Sequence, residues 1–346
     1  MQSKYILPTA VAASVVIALL VFAAGGVFRQ SVAVSPTHSE PAAALPAKPA
    51  PRPAPAPEQP APRPAGRYRI AGTPALPAKP FDVTAAQALP AALERYRFRS
   101  GILIDGATRR VLWERDSRSA VPIASLTKLL TIYTAFEELE QRPETDLRAL
   151  VTVSLETTGA SPVKMNFRAG EKVELQEVFL CAMLKSANDA ALLIAEYFGN
   201  GRPAVFMTKM NEKARAIGMK SSNFVNPNGL PIYGKGNAAP RMNMASAADF
   251  ALLIERLYDY PLILRYTSLR QIETKHGHLQ NGNRLLGKVP GMEGLKTGYT
   301  QAAGHCLAFS CNRNGRRLFG IVTGFQRRQD CFGFVEKLLE WGYTLP

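Results

Sequence analysis

The sequence predicts an α+β domain over residues 81–346, with strands at both ends and helices between them. Two strand-like runs, 102–105 and 111–114, flank a turn that begins at Gly106 and predict an N-terminal hairpin. Runs with helical spacing fill the middle, and strand-like runs return after about Arg270. A domain of about 265 residues is large enough for a core divided between two lobes.

The segments before this domain predict that the protein is exported from the cytoplasm. Residues 1–30 contain an uncharged stretch from Tyr5 to Phe28, which predicts a cleaved signal peptide or a membrane anchor. Its length is sufficient to span a bilayer and favours the anchor. Residues 31–80 are dominated by Pro and Ala and predict a linker, either a semi-rigid polyproline spacer or a disordered tether. We therefore expect the domain to lie in the cell envelope.

The main chemical motif is Ser125 followed three residues later by Lys128, at the start of a predicted helix over 125–139. Residues i and i+3 share a helix face, so the lysine would lie beside the serine hydroxyl. A helix N-terminus also supplies backbone donors for a developing oxyanion. The competing interpretation of Ser125 is an ordinary N-cap. A rival pair, Ser161 and Lys164, runs into a predicted loop and strand that would not hold its lysine in place.

A second motif, Ser186-Ala187-Asn188, separates two predicted helices, 175–185 and 189–198. A short polar break between apolar helices presents a hydroxyl and an amide to a cleft, although helix capping would account for the same residues. A rival match, Ser221-Ser222-Asn223, lies in a Gly-, Asn- and Pro-rich loop. We therefore prefer the motif at 186–188.

A third motif, Lys296-Thr297-Gly298, ends a predicted strand. The following runs, 305–313 and 317–323, flank Asn314-Gly315, which is a strong hairpin signal. The motif strand is thus expected to lie beside this hairpin in one antiparallel sheet, where the glycine lets another backbone approach closely. The competing interpretation is a solvated lysine before a turn glycine.

These three motifs in this order are typical of penicillin-binding proteins and class A β-lactamases. From about Phe81 to Pro346 the chain resembles the D-alanyl-D-alanine carboxypeptidases, which are low-molecular-mass penicillin-binding proteins. The resemblance includes the runs IASLTKLLT, KSANDAALLIAE, GMKSSNFVNPNGL, GLKTGYTQAAGHC and KLLEWGY. It implies the β-lactamase and transpeptidase-like fold: a central antiparallel sheet from N- and C-terminal strands, packed helices and an inserted helical lobe.

The resemblance also implies the chemistry, a serine-type D-Ala-D-Ala carboxypeptidase that works through an acyl-enzyme without a cofactor or metal. Ser125 would be the nucleophile, Lys128 the base that takes its proton, and Ser186 a proton relay. The backbone N–H groups of Ser125 and Tyr299 would form the oxyanion hole.

Substrate binding follows from the same resemblance. Asn188 would bind the peptide backbone. Lys296, Thr297 and Gly298 would bind the substrate from the strand that carries them. Lys296 and Thr297 would hold the terminal carboxylate of a peptidoglycan pentapeptide. β-Lactams would mimic this substrate and acylate the serine.

The sequence excludes one alternative function, a class A β-lactamase, and leaves two others open. A class A β-lactamase would need a Glu-x-x-Leu-Asn run after Asn188, which the sequence lacks. A D,D-endopeptidase that cleaves peptidoglycan cross-links stays open, because the AAGHC run at 302–306 resembles that branch equally well. A catalytically inactive wall-binding or β-lactam-sensing module also stays open, because fold alone does not fix function.

The formal net charge of +15 suggests an anionic partner. We find no nucleic-acid motif and no aromatic residues interleaved with the basic runs, so binding to nucleic acid is not expected. Attraction to anionic membranes and cell-wall polymers fits an exported protein better. Arg327 and Arg328, near the end of the last predicted strand, are interpreted as surface charges, with a contribution to carboxylate recognition as the alternative.

The cysteines and histidines give weaker signals. The four cysteines lack the paired spacing of metal sites. Cys306 and Cys311 would point to opposite faces of one strand and are not expected to bond each other, while other pairings stay open. His276-Gly277-His278 is not expected to have the carboxylate or thiol partners of a metal site around it, which favours a polar hairpin turn.

Overall fold

The strands lie mainly at the two ends of the domain, as the sequence predicts. The computed structural model describes residues 66–70, 78–84, 86–160, 162–236 and 238–346. The strands in these residues are β1 Ser100–Asp105, β2 Val111–Arg115, β3 Val121–Pro122, β4 Leu150–Thr152, β5 Lys172–Glu174, β6 Met244–Ala245, β7 Gln271–Thr274, β8 Gly277–Gln280, β9 Met292–Thr300, β10 Gly304–Arg313 and β11 Arg316–Phe325.

Five of these strands form one antiparallel sheet in the order β2-β1-β11-β10-β9. The hairpins predicted around Gly106 and at Asn314-Gly315 are confirmed as β1-β2 and β10-β11. Strand β9, which carries Lys296-Thr297-Gly298, lies at one edge of the sheet and pairs with β10 alone. The remaining strands form the two-stranded ribbons β3-β6, β4-β5 and β7-β8.

The helices fill the middle of the domain and its C-terminus. They are α1 Ala91–Glu94, α2 Thr127–Glu140, α3 Leu155–Thr158, α4 Leu175–Leu180, α5 Asn188–Phe198, α6 Pro203–Ile217, α7 Ala247–Leu257, α8 Pro261–Ser268 and α9 Arg328–Thr344. A 3₁₀ turn, Ala124–Leu126, leads into α2, and a π-helical turn, Cys181–Lys185, extends α4. The predicted α+β architecture is confirmed.

The central sheet is buried on both faces, so its strands carry apolar residues at successive positions rather than at alternate ones. On β1, Ile102 and Ile104 belong to the larger core with α2 and α5, whereas Leu103 faces the smaller core beneath α9. Alternation along one strand therefore divides the apolar side chains between two cores.

Helix α2 runs through the centre of the helical lobe. All of its residues from Thr127 to Leu139 are buried, because α5 and α6 pack around it. A helix buried on all sides provides a rigid support, and the 3₁₀ turn at its N-terminus presents Ser125.

The packed chain begins before the predicted boundary at residue 81. Residues 66–70, which were assigned to the linker, lie against the domain: the Ile70 N–H donates to the Asp259 carbonyl over 2.9 Å, and the Tyr68 ring packs edge-on against Phe136. The predicted leader, 1–30, and most of the linker lie outside the described residues. Among the residues that the structure describes, no helix combines the length and apolar character needed to cross a bilayer.

Candidate active site

The backbone that presents Ser125 is strained and tightly enclosed. Ala124, the preceding residue, has a φ of 48°, a left-handed conformation that is unusual for a residue with a side chain. Gly229, at φ +90°, lies against this turn so closely that a Cβ there would collide with the Ala124 carbonyl. The loop that contains Gly229 thus fixes the position of the serine.

Lys128 is fully buried, and its side chain reaches the serine as predicted. Its Nζ lies 3.1 Å from Ser125 Oγ, 2.8 Å from Asn188 Oδ1 and 2.7 Å from the Asn228 carbonyl oxygen. The last two partners come from distant parts of the chain, α5 and the loop after α6. The amine therefore lies where three elements meet.

These contacts determine where the protons of a neutral Lys128 lie. The amide and carbonyl oxygens of Asn188 and Asn228 only accept hydrogen bonds, so they take the two N–H donors of a neutral amine. The nitrogen lone pair is then directed at Ser125, whose hydroxyl donates to it. Burial, and next the positive charge of Lys296, lower the pKa of Lys128 well below its ordinary value, which favours this neutral form. The arrangement suits a general base.

Of the second motif, Ser186 faces the cavity, whereas Asn188 is buried against Lys128. Ser186 follows the π-helical turn in a left-handed conformation, with φ 64°, and lines the same cavity as Ser125. Asn188 is 2 % exposed at the start of α5, and its side-chain oxygen accepts from Lys128. The structure thus places Asn188 on the base; its predicted contact with the peptide backbone stays a prediction.

The third motif lies across the cavity from the helical lobe. Lys296 is 2 % exposed on β9, and burial followed by the charge of Arg328 lowers its pKa to about 7. A methyl group on Gly298 would come within 3.2 Å of the Ser125 backbone nitrogen, so the glycine allows the strand to approach the nucleophile. Strand β9 and the 3₁₀ turn of Ser125 are therefore direct neighbours.

The cavity between these elements has a volume of about 350 Å³. It combines hydroxyl and cationic groups with apolar walls, as ligand sites in proteins do. Its lining residues include Ser125, Val163, Ser186, Thr297, Gly298, Tyr299, Cys306, Arg328 and Phe332. Of the eight predicted site residues, five thus face the cavity, whereas Lys128, Asn188 and Lys296 are buried behind it. The oxyanion role of Tyr299 stays a prediction.

Among the residues that the structure describes, the rival motifs show no comparable pair. Ser161 lies outside the described residues, and Lys164 Nζ donates to the Thr158 carbonyl over 3.3 Å. The Ser222 hydroxyl and the Ser221 N–H both bind the carboxylate of Asp249, at the start of α7. Their role is to anchor the loop that carries Asn228.

Sequence reasoning missed two contributors to the site and preferred the wrong place for a third. Asn228 supplies a backbone carbonyl, which any residue could offer, so composition gives no signal for it. Asp189 is buried beside Asn188 and accepts from the backbone N–H groups of Met165 and Asn166, which fixes the loop before the second motif. Arg328 lines the cavity near Lys296, which corrects the preferred interpretation of it as a surface charge; the alternative role in carboxylate recognition stays a prediction.

Two weaker predictions need correction or completion. The histidine pair does have carboxylate neighbours: His276 lies 2.7 Å from Glu177 and 2.8 Å from Glu171, and His278 lies 2.6 Å from Glu273. Glu171 and Glu177 lie about a hundred residues earlier, so local sequence could not reveal them, whereas Glu273 stands three residues before His276 and could have been found there. The predicted hairpin turn itself is confirmed between β7 and β8. All four cysteines are buried and free, which closes the pairings left open.

Comparisons with known proteins identify the family to which the chain is similar. A family model described as D-alanyl-D-alanine carboxypeptidase matches residues 85–326. The carboxypeptidase DacF of Bacillus subtilis is 30% identical over 251 residues, which are 71% of this chain and 62% of that protein. The chain thus spans less than two thirds of DacF. A D-alanyl-D-alanine endopeptidase of Pseudomonas aeruginosa is 29% identical over 249 residues, which are 70% of this chain and 76% of that protein.

Solved structures show a similar fold. The ampicillin-bound penicillin-binding protein D2 of Listeria monocytogenes superposes with a TM-score of 0.60 and 27% identity. The matched region covers 71% of this chain and 97% of that one.

Proposed function

Because the chain belongs to the D-alanyl-D-alanine carboxypeptidase family, we propose that it is a serine D,D-peptidase that removes the terminal D-alanine from peptidoglycan stem peptides. The same serine would be acylated by penicillins. We further propose that it works outside the cytoplasm, where its substrate lies, and that its net charge of +15 favours anionic wall polymers and membrane surfaces.

One observation carries the proposal: the hydrogen-bond geometry of Lys128. In the neutral form of Lys128, two acceptors that cannot donate hold its N–H groups, so its lone pair points at the Ser125 hydroxyl. A serine hydroxyl is a weak nucleophile until an adjacent base takes its proton. A neutral buried amine in contact with the hydroxyl supplies that base.

The reaction follows from this geometry. Ser125 Oγ attacks the carbonyl of the penultimate D-alanine while its proton passes to Lys128. The tetrahedral intermediate then breaks its C–N bond, and the departing D-alanine nitrogen takes a proton, with Ser186 as the relay. Water hydrolyses the resulting ester and regenerates the hydroxyl. A β-lactam forms the same ester, but its amine stays tethered to the acyl group.

The terminal carboxylate of the substrate would bind on the opposite wall. Lys296, Thr297 and Arg328 cluster there, with Thr297 and Arg328 facing the cavity. The Lys296 ammonium lies behind this wall and contributes positive charge. A guanidinium and a hydroxyl together match the geometry of a planar carboxylate.

An endopeptidase activity on cross-linked peptides is the second candidate. The similarity to the Pseudomonas aeruginosa endopeptidase supports it, as does the AAGHC run, in which His305 stacks on Tyr299 with ring centroids 4.3 Å apart. An inactive sensing module is less well supported, because a base in contact with the nucleophile has no use in a protein that only binds.

The decisive experiment compares the parent protein with Ser125→Ala. Each is incubated with a pentapeptide, with cross-linked muropeptides and with a fluorescent penicillin. We expect the parent to release product from at least one peptide and to carry a penicillin adduct on Ser125 by mass spectrometry, and the variant to do neither. Ser119→Ala, an exposed serine on the same segment, is the matched control and should behave as the parent does. Equal turnover by parent and Ser125→Ala would place the nucleophile elsewhere.

A further inference from the structure

A second cavity, of about 460 Å³, adjoins the catalytic one and carries positive charge. We call it the arginine cavity, because Arg270, Arg284 and Arg328 line it, together with Gln280, Asn281 and Asn283 among others. No carboxylate lines this cavity. None of the three guanidinium groups forms an ion pair within the residues that the structure describes.

The wall of the arginine cavity also holds a buried donor. Asn283 is 3 % exposed, and its side-chain oxygen accepts from the Leu285 N–H over 3.0 Å. That contact fixes the orientation of the amide, and its Nδ2 then has no acceptor among the described residues. Because buried polar groups in folded proteins are normally paired, this donor is an unused hydrogen-bonding group at the edge of the cavity.

The arginine cavity begins where the catalytic cavity ends. Arg328 lines both, and its guanidinium donates to the Gly282 carbonyl over 2.8 Å. A Cβ on Gly282 would lie 2.7 Å from Thr297 Oγ1, so only a glycine separates the arginine cavity from the third motif. Burial, and next the charge of Arg284, lower the pKa of Arg328, as expected for two neighbouring guanidinium groups.

We propose that the arginine cavity binds a second carboxylate, one that belongs to the leaving-group side of a cross-linked peptide substrate. The proposal rests on the proposed function. A simple pentapeptide releases a single D-alanine, whose one carboxylate occupies the wall formed by Lys296, Thr297 and Arg328. A cross-linked substrate continues beyond that point into another stem peptide, which carries further carboxylates. Arg270 and Arg284 lie in that direction, past Thr297.

The arginines suit such a group. A guanidinium binds a carboxylate through two parallel N–H···O bonds, and two guanidinium groups without acidic partners raise the local affinity for anions. A ligand carboxylate also brings an acceptor to the cavity wall where Asn283 Nδ2 lacks one. The cavity therefore selects for cross-linked substrates over free pentapeptides. It favours the endopeptidase activity over the carboxypeptidase activity.

The test uses the double variant Arg270→Gln/Arg284→Gln and leaves Arg328 intact. We compare its kcat/KM with that of the parent for a pentapeptide and for a cross-linked muropeptide dimer. Loss of charge-assisted hydrogen bonds should lower kcat/KM for the dimer about tenfold or more. The kcat/KM for the pentapeptide and the rate of penicillin labelling should stay within about twofold of the parent values. Arg148→Gln/Arg215→Gln, which removes two exposed arginines distant in sequence, is the charge-matched control and should leave all three unchanged.

A binding measurement separates this proposal from the proposed function. In a Ser125→Ala background, the dimer should bind about tenfold more tightly than the same dimer with its acceptor carboxylates amidated, and the double arginine variant should abolish that difference. If the parent neither cleaves peptides nor reacts with penicillin, the proposed function fails, but this binding difference still decides the role of the cavity. Equal binding of both dimers, or an equal loss for dimer and pentapeptide, would overturn the proposal.

Discussion

Lys128 Nζ and Ser125 Oγ lie 3.1 Å apart in a pocket where the other two partners of the amine can only accept hydrogen bonds. The pair is one helical turn apart in sequence, yet its chemistry depends on residues 60 and 100 positions away. The lysine is therefore oriented by the tertiary fold rather than by its own helix.

This geometry predicts the effect of removing the base. Lys128→Ala should lower the rate of penicillin acylation by about 10²- to 10⁴-fold, the usual contribution of a positioned general base. Labelling with a fluorescent penicillin measures the rate, and a melting temperature reports whether the variant is folded. Lys164→Ala removes the lysine of the rival motif and should acylate normally. Normal labelling of the folded Lys128→Ala variant would refute its role as base.

Lys296 predicts a pH dependence of substrate recognition. Its pKa of about 7 means that the free protein loses this positive charge as the pH rises through neutrality. The value of kcat/KM for a carboxylate-bearing peptide should therefore fall above about pH 7. It should also fall at any pH low enough to protonate Lys128, whose pKa is lowered by burial and next by the charge of Lys296. A bell-shaped profile is expected.

The substitution Lys296→Arg isolates the descending limb of that profile. Arginine stays charged at all accessible pH values, so the fall of kcat/KM above neutrality should disappear even if the overall rate decreases. The ascending limb, which reports Lys128, should remain. If kcat/KM of Lys296→Arg still falls above neutrality with the same midpoint pH as the parent, the descending limb reports another group.

Much of the fold and part of the site could be predicted from local pattern. The pairing of Ser125 with Lys128 follows from helical spacing, and the hairpins follow from their turn residues. The contacts of Lys128 with Asn188 and Asn228 could not be predicted, because they join segments that no periodicity relates. The left-handed Ala124 has no sequence signal either, since nothing in an alanine marks a strained backbone.

Gly229 offers a test of how far that backbone strain matters. A side chain at this position would collide with the Ala124 carbonyl, so Gly229→Ala should displace the turn that carries Ser125. A shift of about 1 Å at the nucleophile is enough to cost about 100-fold in rate, which penicillin labelling would reveal. Gly201→Ala is the matched control, because Gly201 has a similar φ of +77° but no atom within 4 Å of its Cβ position. Equal acylation rates in the two variants would show that the Gly229 contact does not position the serine.

The contacts of His276 predict a stability effect with a defined pH window. Its ring lies between Glu171 and Glu177, at the junction of the β7-β8 ribbon and the helical lobe. Hydrogen bonds to these two carboxylates outweigh partial burial and raise the pKa of His276 above its ordinary value of 6.5. The hydrogen bond from the Arg168 backbone N–H, and next that from His276, lower the pKa of Glu171 below 4.5. Desolvation opposes such a shift at Glu177, but the hydrogen bonds from His276 and Thr274 outweigh it and lower that pKa as well.

The sign of the effect follows by linkage. A raised histidine pKa contributes stability that is fully present below pH 6.5 and is lost as the pH rises through the folded-state value. The lowered glutamate pKa values contribute stability that is present above pH 4.5 and is lost as the pH falls through their folded-state values. The three groups together therefore stabilise the fold most between pH 4.5 and 6.5.

Thermal unfolding of His276→Gln at two pH values tests this window. At about pH 5.5 the variant should melt about 2–4 °C below the parent, which corresponds to about 1 kcal/mol for a partly exposed ion pair in a domain of this size. At about pH 8.5 the difference should shrink, because the neutral imidazole of the parent no longer pairs with the carboxylates. His278→Gln, whose partner Glu273 is exposed, is the control and should change the melting temperature little at either pH. An equal loss for His276→Gln at both pH values would assign the role of His276 to packing against Phe167 rather than to charge.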